Sequence, residues 1–331
     1  MPPDGVISAA VVFTDPFFMS ERCLREISAW GGYFWVKAKD CLELAEQLRQ
    51  SPAVKIIVSE YMEINKEVIE NASNLKGIIA YGAGYDHIDV RAANEKGVVV
   101  CNCRGENAQA VAELTFGLLL CLLRKINRAD QWLREGSWVK AVRALPSWLT
   151  GKELFKKTLG IIGYGQIGSR VAKIAQGFSM EVLAFDPFVA SSPTRSEIGQ
   201  FVSLKDLLTR ADIITLHVPL TKETENMIDE HNINLMKPGV ILVNTSRGRV
   251  IAEDALLKAL EEKRIGGVAL DVFAREPISA DHPLNKFENV MLTPHIGALT
   301  EEAGERLSEA VTRQIWDIMA GRPPECLIKI D

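Results

Sequence analysis

The stretch TLGIIGYGQIGSR, residues 158–170, decides the fold of this chain. It carries the pattern G-x-G-x-x-G at Gly163, Gly165 and Gly168, directly after an apolar run typical of a buried strand and directly before a helical run. The first glycine permits a tight turn, the second lets the backbone approach a pyrophosphate, and the third lets helix and strand pack closely. In this context the pattern predicts a strand–turn–helix unit that binds a dinucleotide at the helix N-terminus.

An acidic residue ends the next predicted strand. EVLAFD, residues 181–186, finishes in Asp186, eighteen residues after Gly168. A carboxylate at this place can accept hydrogen bonds from both ribose hydroxyls of NAD and would repel the additional phosphate of NADP. No arginine follows at once, because the next residues are Pro187 and Phe188. The sequence therefore predicts NAD as the cofactor.

Apolar β-rich runs alternate with amphipathic helical runs on both sides of this turn. The predicted strands before residue 104 are VISAAVVF (6–13), VKIIV (54–58), LKGIIAY (75–81) and GVVVCN (97–102). Those after residue 157 are TLGIIG (158–163), EVLAFD (181–186), DIITLHV (212–218), GVILVN (239–244), IGGVALDVF (265–273) and NVMLTPH (289–295). The alternation predicts an α/β protein with two Rossmann-like or flavodoxin-like domains, each on a parallel sheet covered on both faces. Two such domains further predict an active-site cleft between them.

Two longer segments complete the pattern. A long helical segment is predicted from about residue 108 to 135, and the connection 136–151 follows it. The tryptophans of that connection fit either packing within one subunit or a subunit interface, where such rings are enriched. A final amphipathic helix is predicted to begin at Thr300 and to stop at Gly321.

Length and charge exclude several classes of protein. The 331 residues suffice for two domains, and a net charge of −5 with scattered Lys and Arg offers no surface for nucleic acid or an anionic membrane. The apolar stretch LTFGLLLCLL (114–123) is about half of a membrane span. The first residues lack the features of a signal peptide. The six cysteines show no zinc-site spacing, so no metal is predicted, and we expect a cytoplasmic protein with reduced thiols.

Three charged residues each follow a predicted strand of the second series. Arg247 follows GVILVN, Glu276 follows IGGVALDVF, and His295 ends NVMLTPH. Residues just past the carboxyl ends of parallel strands face the ligand crevice of such a sheet. An arginine fork matches a substrate carboxylate, a histidine transfers protons near neutral pH, and a carboxylate stabilises imidazolium. Each residue alone is more often structural, but together, behind a dinucleotide turn, they predict reduction of a 2-keto acid.

The sequence resembles the D-isomer-specific 2-hydroxyacid dehydrogenase family over nearly the whole chain. The resemblance lies in LKGIIAYGAGYDHID (75–89), AVAELTFGLLL (110–120), TLGIIGYGQIGSR (158–170), HVPLTKET (217–224), LVNTSRGRVI (242–251), ALDVFAREP (269–277) and TPHIGALT (293–300), in the family's order and spacing. It implies a flavodoxin-like substrate-binding domain formed by residues 1–103 and 297–331, and a Rossmann-type NAD-binding domain of residues 104–296. It also implies a homodimer formed through the NAD-binding domains.

The same resemblance assigns a role to each candidate site residue. His295 would be the proton donor and acceptor, Glu276 its partner, and Arg247 the substrate anchor. The substrate contacts that it implies are the backbone amides of Tyr81, Gly82, Ala83 and Gly84, together with Arg247 and His295. The cofactor contacts that it implies are Gly163, Gly165, Gln166, Ile167, Gly168, Asp186, Val218, Pro219, Thr245, Asp271 and Gly297, the last of these near the nicotinamide.

The identity of the substrate rests on two positions. Members of the family that act on phosphoglycerate tend to have a basic residue in the loop corresponding to 58–64 and another before the glycine turn, whereas this chain has Glu60 and Tyr81. A negative phosphate at about 4 Å from a carboxylate is repelled by about 4 kcal/mol at an effective dielectric near 20. We therefore expect a small 2-keto acid such as glyoxylate or hydroxypyruvate, with D-3-phosphoglycerate dehydrogenase as the alternative.

Two further alternatives concern the chemistry itself. Formate dehydrogenases of the family resemble a pattern with glutamine as the partner of the histidine, so Glu276 argues against them. A non-catalytic NAD(H)-sensing interaction protein stays open, because corepressors that resemble the family keep the same three charged residues. Turnover of 2-keto acids would distinguish the enzyme from the sensor.

Overall fold

The computed structural model describes residues 9–141, 144–189 and 199–329. The chain forms two compact units. Unit 1 comprises residues 1–107 and 298–331, and unit 2 comprises residues 108–297. Unit 1 is thus built from both ends of the chain, and unit 2 is inserted between them.

Unit 1 is built on a parallel sheet. Its strands are β1 Val11–Phe13, β2 Tyr33–Trp35, β3 Ile56–Ser59, β4 Gly77–Ala80 and β5 Val99–Asn102. Within the described residues these five strands lie in the order β2-β1-β3-β4-β5, which is the flavodoxin-like order. The three inner strands β1, β3 and β4 are fully buried and consist mainly of Val and Ile, because helices cover both faces.

The helices of unit 1 begin at side chains that satisfy free backbone amides. They are α1 Glu21–Ala29, α2 Cys41–Arg49, α3 Lys66–Asn71, α4 Val90–Glu95 and the C-terminal helix Glu301–Met319. Each follows a Ser, Asp, Asn or Thr whose side chain accepts a hydrogen bond from an amide of the first turn. The predicted start of the last helix at Thr300 is confirmed, and Gly321, with φ +72°, follows its end.

Unit 2 is built on a second parallel sheet. Its strands are β6 Thr158–Ile162, β7 Glu181–Phe185, β8 Gln200–Phe201, β9 Ile213–Leu216, β10 Val240–Asn244, β11 Ile265–Leu270 and β12 Val290–Leu292. In the part of the unit that the structure describes, these seven strands lie in the order β12-β11-β10-β9-β6-β7-β8. The order reverses between β6 and β9, and ligands of open α/β sheets bind at such a switch point. The prediction of two parallel-sheet domains of these types is confirmed.

The helices of unit 2 differ from the prediction at one place. They are α5 Ala108–Arg124, α6 Ile126–Arg134, α7 Ser137–Lys140, α8 Gln166–Gly177, α9 Leu204–Arg210, α10 Glu230–Leu235 and α11 Glu253–Glu261. The helical segment predicted over about residues 108–135 is present but consists of two helices, because Lys125 adopts a left-handed backbone conformation, with φ +56°, that separates α5 from α6. In the described part of the chain, no helix combines the length and the apolar character needed to cross a membrane.

Two short strands were not predicted. The strand β2 has three residues and β8 has two, and both lie at sheet edges, where strands are often too short to give a recognisable sequence pattern. Part of the first predicted strand, residues 6–8, lies outside the described residues, as do residues 142–143 of the tryptophan-containing connection. The strand predicted over 289–295 ends at Leu292, so that His295 lies in the loop that follows.

Candidate active site

The glycine turn between β6 and α8 has the close packing that the sequence predicts. Gly163 has φ +91°, and a Cβ placed there would lie 2.5 Å from the carbonyl oxygen of His217. A Cβ on Gly168 would lie 2.1 Å from the carbonyl oxygen of Gly163. Any larger residue at either position would displace backbone, so both glycines are required by the turn itself.

Gly165 differs from these two glycines because the space beside it is open. It precedes the first residue of α8, and no described side chain caps that helix end. A Cβ on Gly165 would meet nothing within 4 Å. The amides of a helix N-terminus attract phosphate, and a pyrophosphate must approach this backbone closely. The turn therefore fits a dinucleotide.

Asp186 is fixed beside the glycine turn by backbone amides. Its Oδ2 accepts a hydrogen bond from the amide of Tyr164, inside the turn, at 2.8 Å. Its Oδ1 accepts hydrogen bonds from the amides of Phe188 and Val189 at 2.9 and 3.1 Å. The carboxylate thus also shapes the turn, which the sequence did not predict, while its contact with a ribose stays a prediction.

The remaining cofactor candidates of unit 2 follow the carboxyl ends of neighbouring strands or open α8. Gln166 and Ile167 are the first residues of α8, Val218 and Pro219 follow β9, Thr245 follows β10, and Asp271 follows β11. Because these strands are parallel neighbours, the structure brings the candidates to one edge of the sheet. The Oγ1 of Thr245 lies 3.1 Å from the Oγ1 of Thr115, so this candidate also contacts α5.

A buried asparagine shapes the loop that carries Arg247. The Oδ1 of Asn244 accepts hydrogen bonds from the amide and the hydroxyl of Ser246, at 3.0 and 2.8 Å. Its Nδ2 donates to the carbonyl oxygen of Arg247 at 2.9 Å. The guanidinium of Arg247 in turn donates to the carbonyl oxygen of Ser246 at 2.9 Å. Asn244 is a site-shaping residue that sequence reasoning missed, although a polar side chain at the end of an apolar strand is a signal for it.

The loops that carry Arg247 and Glu276 touch through their backbones. A Cβ on Gly248 would lie 1.8 Å from the carbonyl carbon of Phe273 and 2.0 Å from its oxygen. A side chain at Gly248 would therefore push the two loops apart. The requirement for glycine after Arg247 follows from this contact, which the sequence pattern does not reveal.

Glu276 and His295 form the hydrogen bond that their sequence positions predict. The Nδ1 of His295 lies 2.7 Å from the Oε2 of Glu276, and the Oε1 of Glu276 accepts the amide of Phe273 at 2.8 Å. Burial raises the pKa of Glu276, but the hydrogen bond and charge of His295, the Phe273 amide and the charge of Arg247 together lower it below its ordinary value. Glu276 is therefore ionised near neutral pH and accepts a hydrogen bond from Nδ1–H.

The backbone of His295 is left-handed, with φ +52°. Histidine tolerates this conformation better than most residues, yet it remains uncommon outside glycine. The amide of His295 donates to the carbonyl oxygen of Asp271 at 2.8 Å, which ties the loop to the end of β11. A strained backbone persists where its surroundings fix it, and such residues cluster at functional sites.

The side chain of Asp271 fixes the loop around His295. Its Oδ1 accepts hydrogen bonds from the hydroxyl of Thr293 and the amide of Ile296, at 2.6 and 2.9 Å, and its Oδ2 accepts the amide of Gly297 at 2.8 Å. Burial raises the pKa of Asp271 above its ordinary value, although these hydrogen bonds oppose the shift. A Cβ on Gly297 would lie 3.1 Å from the same Oδ2. The resemblance implied that Asp271 contacts the cofactor, and the structure adds that its carboxylate holds the loop around His295.

The predicted substrate amides of unit 1 follow β4. The amide of Tyr81 donates to the carbonyl oxygen of Ser59 at 2.8 Å, so it continues the sheet. The carbonyl oxygen of Gly82 accepts the amide of Cys103 at 2.8 Å, and that of Ala83 accepts the Nδ2 of Asn102 at 2.7 Å. With its carbonyls held in this way, the loop leaves the amides of residues 82–84 without a hydrogen bond to any described residue.

The side chain of Tyr81 is a support for this loop rather than a charged group. Its ring stacks on Phe17, with centroids 4.1 Å apart, and its hydroxyl donates to the carbonyl oxygen of Phe18 at 2.6 Å. Burial, followed by the charge of Glu60, raises the pKa of the phenol above its ordinary value. Tyr81 is therefore neutral at physiological pH.

Comparison with known proteins gives consistent matches. Residues 116–297 match the family model described as D-isomer specific 2-hydroxyacid dehydrogenase, NAD binding domain. The chain is 42% identical over 290 residues to a glyoxylate reductase of Thermococcus litoralis, covering 87% of this chain and 86% of that protein. It is 41% identical over 276 residues to a D-3-phosphoglycerate dehydrogenase of Synechocystis sp., covering 83% of this chain and 48% of that protein. The crystal structure of a glyoxylate reductase from Paecilomyes thermophila superposes with a TM-score of 0.86 at 27% identity, covering 97% and 98% of the two chains.

Proposed function

This chain belongs to the D-isomer specific 2-hydroxyacid dehydrogenase family, and within that family we propose that it is an NADH-dependent reductase of small 2-keto acids. Membership makes it an NAD(P)-dependent oxidoreductase that acts on 2-hydroxy or 2-keto acids. The observation that carries the proposal is the 2.7 Å hydrogen bond between His295 and Glu276, whose own loop touches the loop of Arg247. A histidine with an ionised partner is equipped for proton transfer near neutral pH.

In the proposed mechanism, His295 moves the proton. Glu276 accepts a hydrogen bond from Nδ1–H, so the proton that reaches the substrate oxygen would come from Nε2. The negative charge of Glu276 stabilises the imidazolium from which that proton leaves. The nicotinamide, when bound, supplies the hydride. In the oxidation of a 2-hydroxy acid, His295 would take the hydroxyl proton back.

Arg247 is proposed as the substrate anchor. Its guanidinium is always charged, and its fork matches a carboxylate or polarises a carbonyl oxygen. The hydrogen bond from the Asn244 side chain to the Arg247 carbonyl oxygen and the close contact at Gly248 hold its loop in place. In unit 1, we propose that the amides of residues 82–84 bind the substrate carboxylate.

The preference for NADH over NADPH is part of the proposal. Asp186 lies beside the glycine turn and adds a negative charge where a 2′-phosphate would need a positive one. The cofactor contacts and the homodimer formed through the NAD-binding domains, which the resemblance implies, are also proposed, as is a cytoplasmic location.

The preference for a small substrate rests on unit 1. Glu60 is close enough to Tyr81 for its charge to raise the pKa of the phenol, and Tyr81 itself is neutral. The loop thus offers a carboxylate and a phenol where a phosphate would need cations. The similarity to glyoxylate reductases supports glyoxylate or hydroxypyruvate, while the relative that acts as a D-3-phosphoglycerate dehydrogenase keeps phosphohydroxypyruvate as the second candidate.

A panel of 2-keto acids tests the proposal. The rate of NADH oxidation is measured with glyoxylate, hydroxypyruvate, pyruvate and phosphohydroxypyruvate, and each reaction is repeated with NADPH. We expect turnover of glyoxylate or hydroxypyruvate, a lower kcat/KM for phosphohydroxypyruvate, and a lower kcat/KM with NADPH. Micromolar NADH binding without turnover of any acid would favour the non-catalytic sensor instead.

A further inference from the structure

In unit 1, the carboxylate of Asp15 accepts hydrogen bonds from a cluster of backbone amides, and neither has a role in the proposed reaction. Asp15 lies two residues after β1, and its Oδ2 accepts hydrogen bonds from the three successive amides of residues 60–62, at 2.9, 3.2 and 3.4 Å. The same oxygen accepts the hydroxyl of Thr14 at 2.7 Å. Successive amides that converge on one point form an anion-binding concavity. Here the anion is a side chain of the protein.

Asp15 is itself held firmly. Its carbonyl oxygen accepts the indole N–H of Trp35 at 3.1 Å and the amide of Phe17 at 2.9 Å. The ring of Phe17 stacks on the ring of Tyr81, and the carbonyl oxygen of Phe18 accepts a hydrogen bond from the Tyr81 hydroxyl. The short segment 14–18 therefore supports two loops at once, the loop 59–62 and the loop 81–84.

These two neighbouring loops differ in whether their amides are hydrogen-bonded. They follow the adjacent parallel strands β3 and β4, and the amide of Tyr81 donates to the carbonyl oxygen of Ser59 at 2.8 Å. The amides of residues 60–62 converge on the Asp15 carboxylate, whereas those of residues 82–84 bond to no described residue. Unit 1 thus has two neighbouring amide clusters, and one of them already binds a carboxylate of the protein itself.

We propose that Asp15 is a positioning residue for the substrate. By filling the amide cluster of residues 60–62, it leaves the cluster of residues 82–84 as the place for the substrate carboxylate, and it fixes the loop from which Glu60 extends. This inference rests on the proposed function, because it concerns how a 2-keto acid is held. Without the carboxylate, the loop 59–62 loses the acceptor for three amides, and its emptied cluster competes for the same substrate group.

Substitutions of Asp15 give a graded test. Asp15→Ala removes the acceptor, whereas Asp15→Asn keeps one oxygen that can accept the amides but removes the charge. The matched control is Asp40→Ala in the same unit, because Asp40 also accepts a backbone amide, that of Glu43 at 2.9 Å, but at the start of α2. For each protein, KM and kcat for glyoxylate and the Kd of NADH are measured, together with hydrogen–deuterium exchange of the amides of residues 60–62.

If Asp15 positions the substrate, its substitution should weaken substrate binding and leave turnover nearly unchanged. Asp15→Ala should raise KM about tenfold or more, because a hydrogen bond to a charged group is worth roughly a factor of ten or more. The kcat and the Kd of NADH should change by less than threefold, roughly within the effect of an ordinary surface substitution. Asp15→Asn should raise KM less, and Asp40→Ala should leave it unchanged. Exchange at residues 60–62 should accelerate in Asp15→Ala alone.

Two results would overturn the inference while leaving the proposed function intact. One is an unchanged KM in Asp15→Ala when the unsubstituted protein reduces glyoxylate. The other is an equal rise of KM in Asp40→Ala, which would assign the effect to general destabilisation of unit 1. If the unsubstituted protein reduces no 2-keto acid, the proposed function fails and the inference fails with it.

Discussion

The candidate sites of the two units are made of different chemical groups. In unit 2 the groups are side chains, namely Arg247, Glu276 and His295, each in a loop after a strand and each held by backbone or carboxylate contacts. In unit 1 they are the backbone amides of residues 82–84, which donate no hydrogen bond to a described residue, in a loop held through the carbonyls of Gly82 and Ala83. Charged side chains can move a proton, whereas amides can only bind and orient.

The difference predicts how each unit affects the reaction. Substitutions of the side chains in unit 2 should act on the chemical step, so that kcat falls. Substitutions that disturb the amides of unit 1 should act on substrate binding, so that KM rises. The first two of the following experiments can break this division, and the third tests how the two histidines of unit 2 differ.

The largest effect is expected at His295. His295→Ala removes the proposed proton donor, so kcat should fall by roughly 10²–10⁴-fold while the Kd of NADH stays nearly unchanged. The rate of NADH oxidation and a direct titration of NADH measure the two quantities. His231→Ala, at an exposed position of α10 in the same unit, serves as the control and should behave like the unsubstituted protein. A kcat for His295→Ala within threefold of the original would refute the assignment.

A smaller effect, on KM, is expected at Gly82. Its φ of +130° lies in a region that other residues rarely adopt, although a Cβ there would meet nothing within 4 Å. Gly82→Ala should therefore strain the amides of residues 82–84, and a strain of 1–3 kcal/mol corresponds to a rise of KM by roughly tenfold. Gly97→Ala, also at positive φ with open space but after α4, is the matched control. If Gly82→Ala lowered kcat and left KM unchanged, unit 1 would have a role beyond binding.

The smallest effect concerns a second histidine of unit 2, which sharpens the contrast with His295. His217 follows β9, and its Nε2 lies 2.8 Å from the Oγ1 of Thr215, while its Nδ1 is buried without a partner among the described residues. Burial lowers the pKa of His217 to about 3, so it stays neutral in the folded protein. Among the described residues, no carboxylate stabilises its charged form, in contrast to the Glu276 partner of His295.

The sign of the resulting pH dependence follows from proton uptake. In the unfolded chain this histidine has a pKa of about 6.5 and takes up a proton that the folded protein does not bind. Its contribution to stability is therefore complete above pH 6.5 and is lost as the pH falls toward 3. Between pH 7 and 5 the loss should reach up to about 2 kcal/mol. Urea unfolding should show a smaller loss in His217→Asn than in the unsubstituted protein or in the exposed control His231→Asn.

The sequence predicted the structure best at positions where only one residue type meets the structural requirement. The glycines at 163 and 168 were predicted from the turn motif, and the structure shows the carbonyl oxygens that exclude a Cβ. The parallel direction of the strands also follows from the alternating pattern, because parallel strands need helical crossovers. The break at Lys125 was missed, since nothing in the apolar pattern of residues 108–135 marks a single left-handed residue.

The sequence by itself determined the two parallel-sheet domains, the dinucleotide turn and the three charged residues, because each depends on side-chain chemistry at a fixed spacing. Only the tertiary structure revealed the supports: Asn244 behind Arg247, Asp271 around His295, and Asp15 beneath the loop 59–62. The contacts of Asp271 and Asp15 join segments that are distant in the sequence, and no spacing pattern predicts which amides these carboxylates bind. Whether an amide is available for a ligand was likewise decided by folding, because every residue except proline carries one and only its neighbours determine whether it is already bonded.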